Sequence, residues 1–304
     1  MSRKPSGWEC LWLLLIWTAG YATSFCGAYA GEPNTFHIQA HRGAGIAMPE
    51  NTLESFQWAW KLGVTPEADL RTTRDAAIVC FHDPDLSRVV SNVQEPRKKS
   101  GIEDLPHAEV QLLEVGSFRG RQFAGQRVPT LESVLAEMRG QPERLLYLDI
   151  KTAELEPLIA MIRKHEVERQ VIFTTTHHNL IQDWKKRVPE SLTLLWNGGT
   201  EPQLETKMAA VRKAGFEGIT HLQIHVRVGD LSSDEPFVPR IEFLQSLGDE
   251  LKSRRIVFQV LPWECSDRRA YEKLLALGVE SFATDYPEVT LQAVESFRKQ
   301  DVAR

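Results

Sequence analysis

The chain has 304 residues, a formal charge of −5, 42% hydrophobic residues and four cysteines. It is long enough for one large core and too acidic for a general electrostatic attraction to nucleic acid or anionic lipid. No C-x-x-C pair occurs, which argues against a structural zinc site.

Residues 1–30 read as a secretory signal. Arg3 and Lys4 precede the apolar run 11–17, and Ala28-Tyr29-Ala30 offers a small-x-small cleavage site before Gly31. The apolar run falls short of the about 20 residues of a membrane span. The expected mature chain, 31–304, is extracytoplasmic and has no stable membrane insertion. Loss of Arg3, Lys4 and Glu9 leaves it at −6. Cys10 and Cys26 leave with the signal, and Cys80 and Cys265 are expected to be separate thiols.

Strands are predicted near 38–41, 67–70, 145–150, 171–175, 193–196, 218–224, 256–261 and 281–284. Helices are predicted near 52–62, 131–139, 154–164, 180–187, 203–214, 240–253, 268–277 and 289–299. Eight strands, each followed by a helix, make the α/β pattern of a TIM (β/α)8 barrel. The stretch 70–81 is too short for a parallel crossover, so 77–81 is read as the return arm of a hairpin. A turn at Asp75-Ala76 then brings His82 back opposite Asp69. Between the second and third strands lies an insertion, about 84–127, too long for a plain barrel loop.

The chemistry concentrates early. His41-Arg42-Gly43, Glu50-Asn51-Thr52, Glu67-x-Asp69 and His82-Asp83 all fall between residues 41 and 83. Two imidazoles exchange protons near neutral pH. Carboxylates at i and i+2 share a strand face and suit a hard divalent cation. An arginine beside them suits a phosphate. Together these are the parts for hydrolysing a phosphate ester. Asn51 reads either as the cap of the first helix or as a polar group supporting the site.

The segment HRGAGIAMPENTLESFQWAWKLGVTPEADLRTTRDAAIVCFHDPDLSRVV resembles the N-terminal signature of the glycerophosphodiester phosphodiesterase family. Val128-Pro-Thr-Leu-Glu132, Leu148-Asp-Ile-Lys151, Gly278-Val279 and Thr284-Asp-Tyr-Pro287 continue the likeness, which spans roughly 36–290. The resemblance implies hydrolysis of glycerophosphodiesters to glycerol 3-phosphate and an alcohol. His41 and His82 would be the acid/base pair. Glu67, Asp69 and Asp149 would hold one divalent cation, Ca2+ or Mg2+. Arg42 and Lys151 would bind the phosphate, and the insertion would cap the barrel mouth. The attacker would be water or a neighbouring glycerol hydroxyl. The implied partner is a small phosphodiester, not a nucleic acid, and no oligomeric state is specified.

Three departures stand out. Asp149 occupies a position where the family usually has Glu. His177-His178 replace a usual Ser-Phe. The seventh strand reads Phe258-Gln-Val-Leu-Pro-Trp263-Glu264 instead of ending in a motif like WTVN, so Trp263 is expected to supply a displaced aromatic wall. His177, His178, His221 and His225 are expected to be structural, with His225 also placed where it could face the mouth. Two other functions fit the same residues: a lysophospholipid or sphingolipid phosphodiesterase, which would need an exposed apolar rim, and a barrel that binds a phosphorylated ligand without turnover.

Overall fold

The computed structural model describes residues 36–302, so the expected signal at 1–30 lies outside the described residues. In chain order the regular elements are β1 (His37–Ala40), α1 (Leu53–Leu62), β2 (Thr65–Thr72), β3 (Ile78–Cys80), α2 (His107–Val110), α3 (Leu131–Met138), β4 (Leu146–Ile150) and α4 (Leu155–His165). They continue with β5 (Val171–Thr175), α5 (His178–Arg187), β6 (Leu192–Asn197), α6 (Glu201–Lys213), β7 (His221–Val228), β8 (Phe237–Val238) and α7 (Ile241–Ser253). The last are β9 (Val257–Pro262), α8 (Arg268–Ala276), β10 (Ser281–Thr284) and α9 (Pro287–Val302).

Eight parallel strands run β1-β2-β4-β5-β6-β7-β9-β10, and pairing of β10 with β1 closes the ring. This is the expected TIM barrel. The outer faces of the strands bury apolar residues under the helices. Phe173, for instance, stacks on Trp184 of α5 with ring centroids 4.3 Å apart. The inner face carries an apolar layer of Tyr147, Ile172 and Leu194. It also holds a buried amide layer, in which Gln223 donates to Gln39 and Gln259, and Gln259 donates to Ser281. Unpaired, such amides would each cost several kcal/mol. Paired with one another, they plug the barrel below its mouth.

The β2–β3 hairpin forms as expected, with one difference. Leu70 pairs with Cys80, and Phe81 N–H donates to the Asp69 carbonyl, so Phe81 rather than His82 stands opposite Asp69. The turn spans Thr73 to Ala77, with Ala76 at φ 68°. The sixth barrel strand also differs. It begins at His221, because Gly218 is held at φ 79° and the Thr220 hydroxyl donates to the Thr193 carbonyl. It then runs on to Val228, paired with β9 and, antiparallel, with β8. Cys80 and Cys265 are buried and free.

Residues 84–127 are not a loose excursion. Leu86, Val89, Ile102, Leu105, Val110 and Leu113 bury against Val79 and Phe81 of the hairpin in a second small core. Glu103 ties this lobe to the barrel by accepting from Arg71 (2.8 Å) and Thr152 (2.6 Å). No helix among the described residues is long and apolar enough to cross a membrane.

At the floor of the barrel His37 and His221 meet edge to face, with centroids 6.5 Å apart. Burial, reinforced by the charge of His37, pushes His221 down to about 3, and burial lowers His37 as well. His225, higher in the barrel, is pushed down to about 4 by burial and then by the charge of His41. All three groups bind protons less readily folded than unfolded, so stability should fall as pH drops below about 6.5. His41 is shifted the other way and partly offsets this. Chemical unfolding between pH 7.5 and 5 should show a loss approaching about 1.4 kcal/mol per pH unit for each uncompensated group. His221→Gln should flatten the slope, and an unchanged slope would refute the assignment.

Candidate active site

The site sits at the carboxyl ends of the barrel strands, where this fold places its chemistry. A cavity of about 80 Å³ is lined by His41, Arg42, Glu67, His82, Asp149 and Lys151, together with Trp196, His225 and Trp263.

β2 and β4 lie in register with Asp69 beside Asp149 and Glu67 beside Tyr147. Carboxylate oxygens of Glu67, Asp69 and Asp149 therefore come within 4.8 Å of one another, all buried. Burial, opposed by Lys151 but reinforced by the charges of Glu67 and Asp69, pushes the Asp149 carboxyl above its ordinary range. Among the described residues Lys151 is the one cation ion-paired with these carboxylates, 2.5 Å from Asp149 and 3.1 Å from Asp69. One ammonium against three buried carboxylates leaves an excess of negative charge. Asp69 Oδ1, although 3.1 Å from the Lys151 ammonium, accepts no hydrogen bond of good geometry. A hard divalent cation fits this set of oxygens. The shorter Asp149 side chain still reaches the other two carboxylates. Lys151, expected at the phosphate, here pairs its ammonium with Asp149 and Asp69.

Asn51 is not the helix cap. Thr52 is, its side chain accepting from Ser55 N–H. Asn51 sits in the left-handed region at φ 54°, donates to Asp69 Oδ2 (2.6 Å) and accepts from Asp69 N–H (2.9 Å). It fixes the rotamer of a carboxylate that offers its other oxygen to the trio. The positive φ suits Asn, whose short amide tolerates that conformation.

Each expected catalytic histidine is held by an aspartate. His82 Nδ1 lies 2.8 Å from Asp83, and its Nε2 lies 3.0 Å from Arg42. A guanidinium can only donate, so His82 Nε2 accepts and Nδ1 carries the proton. Asp83 is held well below its usual range: burial opposes the ionised form, but bonds from His82 and Arg88 outweigh it. His41 Nδ1 lies 2.7 Å from Asp285. Burial works against the imidazolium, yet the Asp285 bond and the charge of Glu67 prevail and raise His41 above its ordinary value. Gly45 fixes this contact. At φ 59°, a Cβ there would lie 2.2 Å from the Asp285 carbonyl oxygen.

Arg42 joins the parts. Its main-chain N–H donates to Glu67 (3.2 Å), and its side chain reaches Glu50 and His82. Glu50 is also gripped by Arg88 through two bonds of 2.7 Å.

Two wall residues differ from expectation. His225, expected to be structural, lies inside the lengthened β7 and faces the cavity. Trp196, not singled out in the sequence, stacks on His225 (4.9 Å, 6°) and points its indole N–H at Asp149. Trp263 does supply an aromatic wall, edge-on to both His41 and His225. His178, by contrast, bonds the Glu217 carbonyl at the surface.

The chain is similar in sequence and fold to known proteins. A glycerophosphodiester phosphodiesterase from Caldanaerobacter subterraneus subsp. tengcongensis is 26% identical over 264 residues, covering 84% of this chain and 97% of its own. A human lysophospholipase D, GDPD1, is 25% identical, covering 83% of each chain. A phosphodiesterase from Oleispira antarctica, solved in complex with the product sn-glycerol-3-phosphate, shares the fold with TM-score 0.60 at 22% identity, covering 85% of this chain and 96% of its own. The model of the Glycerophosphoryl diester phosphodiesterase family matches residues 41–289. The chain belongs to that family and is a phosphoric diester hydrolase.

Proposed function

We propose that the chain hydrolyses glycerophosphodiesters to glycerol 3-phosphate and an alcohol, with one divalent cation, Ca2+ or Mg2+, on Glu67, Asp69 and Asp149. The observation that carries this is the meeting, in one cavity, of two aspartate-held imidazoles, a guanidinium and a buried acidic trio. The bound cation would neutralise charge on the phosphoryl oxygens. The hydrogen-bond pattern divides the proton work. His82 takes the proton from the attacking hydroxyl, whether of water or of the glycerol, on the Nε2 lone pair that is released when the Arg42 guanidinium turns from it to the phosphate. His41, protonated and with Nδ1 spent on Asp285, gives its Nε2 proton to the departing alkoxide as the P–O bond breaks. Arg42 lies within reach of His82 and orients the phosphate. Turnover of glycerophosphoglycerol, measured before and after chelation and cation replacement, tests the reading. A folded, cation-loaded protein that leaves the diester intact would sink it.

A second reading has its own support. Ile46 (47% exposed), Val238 (55%) and Trp263 (42%) all stand exposed at the cavity mouth or its side clefts. Such an apolar rim is what a lysophospholipid phosphodiesterase would use against an acyl chain, the activity that the human relative's name carries. Lysophosphatidylcholine cleaved faster than glycerophosphocholine, with the difference lost in Val238→Ser, would favour it.

The charged, then apolar, then small-residue order of 1–30 supports export, with a mature chain starting near Gly31. Mass spectrometry of protein recovered from outside the cytoplasm should find that N-terminus. An intact residue 1 on membrane-bound material would refute it.

A further inference from the structure

Trp263 divides the mouth of the barrel into two clefts. One, of about 290 Å³, runs past His225 to the Gly198-Gly199 loop and Val238. The other, of about 310 Å³, opens beside His41 and is bounded by Arg119 of the insertion, Glu264 and Tyr286. Because His41 protonates the departing alcohol in the reading above, the second cleft is where that alcohol lies.

The charges of this cleft nearly all cancel internally. Asp285 is bonded to His41, Glu50 to Arg42 and Arg88, and Arg88 also to Asp83. Two charged groups remain without an ionic partner among the described residues, Arg119 and Glu264. They come from separate elements, a turn of the insertion and the loop after β9, and do not pair with each other. Glu264 follows the exposed Trp263 in the chain, lines the same cleft and is held at φ 48°. A carboxylate beside an aromatic face suits an ammonium ion. The Arg119 guanidinium, which lies over the Phe118 ring (5.6 Å to the centroid) and forms no ion pair among the described residues, lines the same cleft and suits a carboxylate.

We propose that this cleft selects a leaving alcohol carrying both an ammonium and a carboxylate, a hydroxy amino acid such as serine. Glu264 and Trp263 receive the ammonium, and Arg119 receives the carboxylate. The inference rests on the glycerophosphodiester reading and adds the class of head group to it. Hydrolysis leaves the free amino acid, its hydroxyl reprotonated by His41, and glycerol 3-phosphate.

The test compares kcat/KM for glycerophosphoserine, glycerophosphoethanolamine and glycerophosphoglycerol, with bis(p-nitrophenyl) phosphate as a diester lacking both arms. The wild type should prefer the serine diester over the glycerol diester. Arg119→Gln should reduce the serine-to-ethanolamine ratio about tenfold, the worth of one charge-assisted hydrogen bond. Arg119→Lys should restore part of that ratio. Glu264→Gln should reduce the ethanolamine-to-glycerol ratio. Calorimetric titration of glycerophosphoserine into the His82→Ala variant should give a weaker Kd when Arg119→Gln is added, a readout that needs no turnover. Equal kcat/KM for the three glycerol diesters, or ratios unmoved by both substitutions in folded protein, would overturn the head-group inference alone. Cleavage of bis(p-nitrophenyl) phosphate with none of the three hydrolysed would instead strike the glycerophosphodiester reading beneath it.

Discussion

His41→Ala and His82→Ala should each lower turnover by about 10²–10⁴-fold while leaving the barrel folded, the usual contribution of a positioned acid or base. Neither side chain carries core packing; both face the cavity. The double variant should lose less than the product of the singles, because an acid with no base to match it has little left to contribute. The aspartates give this a pH signature. Asp285 helps hold His41 above its ordinary range, so Asp285→Asn should move the alkaline limb of the kcat profile to lower pH. A purely structural Asp285 would change rate or stability without moving that limb. Near-wild-type rates in either histidine variant, with folding verified by circular dichroism, would refute the pairing.

Removal of divalent cations should cost about three orders of magnitude in rate, the equivalent of roughly 4 kcal/mol of lost charge stabilisation. The fold should survive. Lys151, Asn51 and Trp196 already hold the carboxylates of Asp69 and Asp149 through hydrogen bonds and ion pairs. Thermal unfolding should therefore show a lower midpoint after chelation but a cooperative transition. Ca2+ and Mg2+ added back separately would identify the ion that restores turnover. Full activity in protein verified to be cation-free would dismiss the acidic trio as a metal site.

The eight strands and the early cluster were legible because their signals are local. A Glu-x-Asp pair shares a face by strand geometry, and a short connection forces the hairpin that returns His82. The partners that tune these groups were not legible, because ring closure brings them together. Asp285 lies 244 residues from His41 and reaches it only because β10 pairs with β1. Trp196 and His225 were hidden for another reason. β7 extends four residues past its expected end at 224, supported by β8 and β9, and this turns His225 toward the cavity. Asn51 fits the pattern of a helix cap one residue too early, and only its left-handed backbone and the placement of Asp69 show its real partner. That the insertion carries a core of its own was not legible, because its apolar residues are spread over 84–127. Their common burial depends on the hairpin face they cover.

Arg42 touches the acidic trio through its main-chain N–H on Glu67 and the imidazole base through its guanidinium on His82. On the proposed reading, a cation at one end and a diester at the other would share this residue, and any coupling between them would be reciprocal. Whatever factor the cation adds to diester affinity, the diester adds to cation affinity. The cation concentration needed for half-maximal rate should then fall as substrate rises. Where divalent ions are scarce, the substrate itself would then be the agent that retains the ion.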